Sequence, residues 1–247
     1  MGVERGRFSR GRRIRAPDVN DRSIQHGLQR QLENRRRLLD EGGSRLGWKA
    51  AFGAPASLEQ FGLDGPLVGF MTDRSVVESG AEVDIADWTR AVGEPEIVVY
   101  LDDDIPAGAD ESQVRSVIGA VGAAIELADI FQPPDDIQSA LAVNVFHRSV
   151  ILGPPDRSRS GADLSGLEAH VRVDGAVIAV TSDVEALTGG IPRVLSHLSG
   201  LLAGHGERIR AGEVVICGSI VPPVQLSPGT TFEFELRPLA PISVRAV

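Results

Sequence analysis

The 247-residue chain has one cysteine, Cys217, one lysine, Lys49, two methionines and only 4% aromatic residues. A lone thiol excludes an internal disulfide. No apolar run approaches the roughly 20 residues needed to span a bilayer. Positive charge is also short overall, with a formal net charge of −9 and a pI near 5.1. That balance argues against a nucleic-acid partner and against docking on an anionic membrane, and the cytoplasm is the expected compartment. With few aromatics the core must come from Val, Leu, Ile and Ala, and a 42% hydrophobic chain of this length can build one large domain.

The lysine shortage is informative because arginine fills the other cationic positions, 25 Lys and Arg together. A lysine offers a compact, rotatable ammonium, whereas arginine presents a rigid fork that stays charged. Lys49, in Arg45-Leu46-Gly47-Trp48-Lys49-Ala50-Ala51, is therefore a candidate for chemistry, set against the reading that an arginine-rich composition simply missed one site. The first sixteen residues hold Arg5, Arg7, Arg10, Arg12, Arg13 and Arg15 among Gly and Ser, which predicts a flexible basic arm over 1–16 before a catalytic domain over 17–247.

Ile24, Leu28, Leu32 and Leu39 recur at near-helical spacing between Asp21 and Asp40, with Gly42-Gly43 as the stop. Glu96 to Leu101 reads as a buried strand. Asp110 with Gln113 makes a capping box, and Val114, Val117, Ile118, Val121 and Ile125 predict a long helix with Glu126 at its C-terminal end. Asp174-Gly175 suits a two-residue hairpin turn, with His170 facing solvent. Pro192 and Gly204 bracket another helix. Strands are expected at 213–217, 230–236 and 242–246, giving an α+β domain dominated by sheet in its second half.

On an extended segment residues two apart share a face, so Glu94 and Glu96 can aim at one point, with Pro95 facing away at a strand end or irregular edge. Two carboxylates held together call for positive charge, and Glu126 would complete a site for a divalent cation. Oxygen ligands with no neighbouring His or Cys favour Mg2+ or Mn2+ over zinc. Three carboxylates and a dication leave one negative unit, which Lys49 would cancel. A 2-oxo acid could then chelate the ion through its carboxylate and keto oxygens. An exposed acidic strand start is the competing reading of Glu94-Pro95-Glu96.

These residues resemble the fumarylacetoacetate hydrolase superfamily, in its branch of 2-oxopent-4-enoate hydratases and 4-oxalocrotonate decarboxylases. The resemblance runs from about Ser23 onward through Gly47-Trp48-Lys49, Asp64 to Gly69, Glu94-Pro95-Glu96, Glu126-Leu127-Ala128-Asp129, Leu152-Gly153, and Arg210 to Glu213 leading into Gly218-Ser219. It implies a mixed β-roll, an Mg2+ or Mn2+ ion on Glu94, Glu96 and Glu126, a charge- or proton-handling Lys49, and substrate contacts from Gly218, Ser219 and Asn144. It further implies a homo-oligomer, with a related decarboxylase or hydratase chain as a possible companion. The expected reaction is hydration of a 2-hydroxydienoate to a 4-hydroxy-2-oxo acid. Decarboxylation, carbon-carbon hydrolysis and a catalytically silent partner subunit stand behind it. The chain departs from the family pattern at Leu67, where an acid is usual, at Ile130-Phe131 in place of Ser-Arg, at Val143-Asn144-Val145-Phe146 in place of Asp-Asn-Ala-Ser, and at Val221 in place of Thr. His147 and Arg148, just beyond, could replace the missing arginine as an anchor for a distal substrate group, with surface placement the favoured reading.

Overall fold

The structure is a computed structural model that describes residues 18–132 and 136–247, so the predicted basic arm over 1–16 lies outside the described residues. In chain order the elements are α1 (Asp18–Asp40), β1 (Arg45–Ala51), α2 (Pro55–Phe61), β2 (Leu67–Thr72), β3 (Glu82–Val83), β4 (Ala91–Leu101), α3 (Glu111–Val117) and β5 (Ile118–Asp129). Then come α4 (Ile137–Ala142), β6 (His147–Leu152), β7 (Glu168–Val173), β8 (Ala176–Thr181), α5 (Ile191–Ala203), β9 (Val214–Ser219), β10 (Val224–Gln225), β11 (Thr231–Arg237) and β12 (Ile242–Ala246).

The strands form two sheets. One runs β2-β1-β9-β4-β5-β6 with β10 added on β4, and the other runs β3-β12-β11-β7-β8. The main core cluster draws on both, with Trp48, Val99, Ile125 and Val215 from the first and Val171, Phe232, Phe234 and Leu236 from the second. Burying two sheet faces against each other removes apolar area that neither could hide alone, which is the mixed α+β arrangement expected of this sequence.

Most predicted elements form close to their expected bounds. Leu28 and Leu32 turn the inner face of α1 into the core. The Asp110–Gln113 box closes with both hydrogen bonds, and Asp174 and Gly175 both take positive φ in the β7–β8 turn.

The long helix after Asp110 does not form. It ends at Val117, and the chain continues as the twelve-residue strand β5, buried along its whole length. A run that is apolar or small at every position suits a strand covered on both faces as well as it suits a helical stripe. Glycine spacing separates the two. An added Cβ at Gly119 would lie 2.2 Å from the Asp102 carboxylate, and one at Gly122 3.1 Å from Val98. Glu126 therefore projects from a central strand rather than from a helix end.

Pro95 also differs from expectation, standing inside β4 opposite Ile125. Its carbonyl accepts from Ile220 N at 2.8 Å. A strand residue's N–H and C=O point to the same side, so the missing donor faces β9, whose pairing with β4 starts at Glu96 and shifts register before Val98. His170 is not solvent-facing: it is 8% exposed and pairs with Glu168.

Candidate metal and substrate site

Strand pairing places Glu94 directly opposite Glu126, and Glu96 follows two residues along the same face of β4. One carboxylate oxygen from each of the three lies within 4.8 Å of the others. Lys49 on β1 reaches the same point, donating to Glu126 Oε1 and, at 3.2 Å, to the Val145 carbonyl. In a flat sheet β1 and β5 would stand three strand spacings apart, about 14 Å. The Lys49–Glu126 contact shows how strongly the sheet curls. Gly69 makes room for the lysine stem: an added Cβ there would sit 2.7 Å from Lys49 Cγ and 3.2 Å from Asn144 Oδ1.

The remaining hydrogen bonds leave a cation-sized demand. Glu96 Oε2 accepts from Gly218 N at 2.8 Å, and Glu126 Oε1 accepts from Lys49 and from His147 Nδ1, the latter at 2.7 Å. Glu96 Oε1 and Glu126 Oε2 are buried and have no hydrogen-bond partner among the described residues. Bare buried carboxylate oxygens are costly unless a positive charge meets them. Electrostatics agree. Burial, reinforced by the Glu126 charge and opposed by Lys49, pushes Glu94 up to about 7. Burial, then Glu126 and Glu94, pushes Glu96 well above its ordinary value. Burial pushes Glu126 in the same direction, but Lys49 and His147 outweigh it and hold its carboxyl below the usual range. Two of the carboxyls are thus pushed toward the protonated form and the third toward the ionised form, and the donors are those a hard cation takes.

Gly218, at φ 101°, turns the end of β9 so that its N–H faces Glu96. Ser219 Oγ donates to the Val221 carbonyl at 2.6 Å. Both residues line a cavity of about 430 Å3 together with Lys49 and Glu94. Asn144 does not join them. Its Oδ1 accepts from Phe70 N and its Nδ2 donates to Phe70 O, each at 2.8 Å. Its side chain lines a separate cavity of about 490 Å3. Both ends of the amide thus bond the backbone of β2, which gives Asn144 an anchoring role.

That anchor fixes an unusual segment. Asn144, Val145 and Phe146 take φ values of 57°, 49° and 65°, a left-handed run that is costly for non-glycine residues and most of all for β-branched Val145. The strained turn aims the Val145 carbonyl at Lys49 and delivers His147 to Glu126. The sequence reading missed His147: its side chain is 4% exposed, not at the surface. Its position next to the altered Val143–Phe146 motif was the signal available. Arg148 is half-exposed, pairs with Asp129 at 3.1 Å and lines the 490 Å3 cavity rather than the one beside Lys49. Trp48 points opposite to Lys49 into the core, where its Nε1 donates to Glu213 Oε2 at 2.9 Å and the Arg35 guanidinium lies 4.4 Å from the ring.

Comparison with known proteins bears on the fold and on the class of reaction. No protein-family model matches the chain. A 4-oxalocrotonate decarboxylase of Pseudomonas sp. is 26% identical over 211 residues, 83% of this chain and 80% of the relative. A 2-hydroxyhexa-2,4-dienoate hydratase of Comamonas testosteroni is 24% identical over 215 residues, 85% of this chain and 81% of the relative. The solved 4-oxalocrotonate decarboxylase from Pseudomonas putida G7, complexed with magnesium and adipate, superposes with a TM-score of 0.83 at 26% identity, covering 91% of this chain and 86% of that one. With its curled sheet and its three-glutamate cluster facing Lys49, the chain is similar in sequence and fold to the 4-oxalocrotonate decarboxylases and to the 2-hydroxyhexa-2,4-dienoate and 2-keto-4-pentenoate hydratases.

Proposed function

We propose that the protein is a metal-dependent lyase that adds water to a 2-hydroxydienoate or 2-oxoalkenoate to give a 4-hydroxy-2-oxo acid. The observation that carries this reading is the trio Glu94, Glu96 and Glu126 beside Lys49, with two buried oxygens that have no partner among the described residues. These glutamates would hold Mg2+ or Mn2+, which supplies electrophilic polarisation of a bound 2-oxo acid.

The chain's own residues do the rest. Lys49 offsets the excess negative charge of the carboxylates. Two of its three donors are taken by Glu126 and Val145, which leaves one for substrate or for handing over a proton. Gly218 N–H fixes Glu96, and His147 fixes Glu126, so both ligands meet the cation pre-oriented. The Gly218-Ser219 turn shapes the cavity wall.

Decarboxylation through the same electron sink is the second reading, favoured by relatives of that name at 26% and 27% identity. A homo-oligomer of a single catalytic domain over 17–247, working in the cytoplasm on a small 2-oxo acid, completes the proposal. A related decarboxylase or hydratase chain would be its natural companion.

The test is turnover with Mg2+ over a panel of 2-hydroxydienoates, followed by ultraviolet loss and carbon dioxide release. Calorimetric metal titration runs beside it. Hydration without gas is expected, and gas evolution selects the second reading. Glu96→Gln should lose metal affinity and turnover, and Lys49→Met should keep the metal but lose at least 100-fold in kcat. A full rate in either variant would remove the assigned role.

A further inference from the structure

The polar groups of the 430 Å3 cavity are concentrated where Lys49, Glu94, Gly218 and Ser219 meet. Among the described lining residues Lys49 is the only cation, and it is already engaged with Glu126 and Val145. Away from that cluster the wall is formed by Phe52, Ile130, Phe146, Leu187, Val221 and Pro222. The hydroxyls that interrupt it are Ser57 and Thr188, and the latter donates to the Gly189 carbonyl at 3.1 Å.

From this distribution we infer that the substrate is a 2-oxo acid monoanion with an extended apolar tail, and that dicarboxylates are excluded. The inference rests on the lyase reading above and specifies its substrate class. A monoanion places its one charge at the cluster, where three glutamates, a dication and Lys49 sum to zero. A second carboxylate would be carried into a phenylalanine- and proline-walled space with no cation among the described lining residues to receive it. Stripping water from an unpaired carboxylate is among the most unfavourable transfers a binding site can demand. The volume points the same way, since about 430 Å3 falls in the range that accommodates drug-sized ligands and exceeds what a five- or six-carbon acid fills. Ile130, Phe146 and Val221, half of these six wall residues, stand at three of the four departures from the family pattern.

The test uses the wild-type protein saturated with Mn2+ and saturated 2-oxo acids, whose tails offer nothing to hydrate. Calorimetry compares 2-oxohexanoate and 2-oxooctanoate with 2-oxohexanedioate and 2-oxooctanedioate, the diacids of equal length. Each monoacid should bind at least tenfold tighter than its diacid. Each added methylene should tighten binding about fourfold while the tail still finds wall. Equal or tighter binding of the diacids, or no gain with tail length, overturns the inference and leaves the lyase reading standing. Metal binding with no 2-oxo acid of either kind bound overturns both.

Discussion

Glu126 commits one oxygen to Lys49 and His147 and leaves the other bare, while Glu94 and Glu96 are pushed toward their protonated forms. A dication entering this group must therefore expel protons. With the Glu94 carboxyl near 7, apparent metal affinity should climb as pH rises through that value and fall by up to about tenfold per unit below it for each proton displaced. Calorimetry in two buffers of different ionisation enthalpy at pH 6.5 should register at least one proton released per ion. Proton-neutral binding would mean the cluster is already fully ionised. At this scale the sequence was generous. The i, i+2 spacing of Glu94 and Glu96 and the isolation of Lys49 in an arginine-rich chain singled out the reactive groups. Pairing partners were hidden, because whether His147 meets solvent or Glu126 depends on a turn that no local pattern encodes.

The element that decides this is the left-handed run Asn144–Phe146, tied to β2 by the Asn144 amide. Three such residues cost on the order of 1–2 kcal/mol each and persist only when their surroundings hold them. Asn144→Ala removes both tethers, so the turn should relax and withdraw the Val145 carbonyl from Lys49. We expect a loss of about 2 kcal/mol, a drop in Tm of several degrees and at least a tenfold fall in kcat, measured by thermal melting and steady-state kinetics. An unchanged kcat would show that the segment does not position Lys49. Elements governed by local chemistry were readable in advance, as at the α3 cap and the Asp174-Gly175 turn. β5 was not, since its Val and Ile spacing fits a helix, and only the carboxylate of Asp102 packed against Gly119 and the strands on either side decide otherwise.

Across the whole molecule the chemistry belongs to one sheet. Lys49, Glu94, Glu96, Glu126 and Gly218 all stand on strands of the β2-β1-β9-β4-β5-β6 sheet, and the second sheet supplies packing through Phe232, Phe234 and Leu236. That division was invisible in the sequence, because the curl that brings β1 to β5 depends on β9 pairing with both β1 and β4, across more than 100 residues of chain. No described helix is long and apolar enough to cross a membrane.

Cys217 occupies an informative place in this layout. It is 2% exposed on β9, one residue before the turn whose N–H grips Glu96, and burial, followed by the charges of Glu96 and Glu185, drives its thiol well above the ordinary value. It is also the only sulfhydryl in the chain. An aromatic disulfide reagent should leave the folded protein almost unmodified, and saturating Mn2+ should slow the residual labelling at least tenfold by clamping Glu96. Labelling at one rate with and without metal would mean that the ion does not stabilise β9. The molecule therefore carries a built-in chromogenic reporter, able to time the breathing of its reaction chamber without any engineered probe.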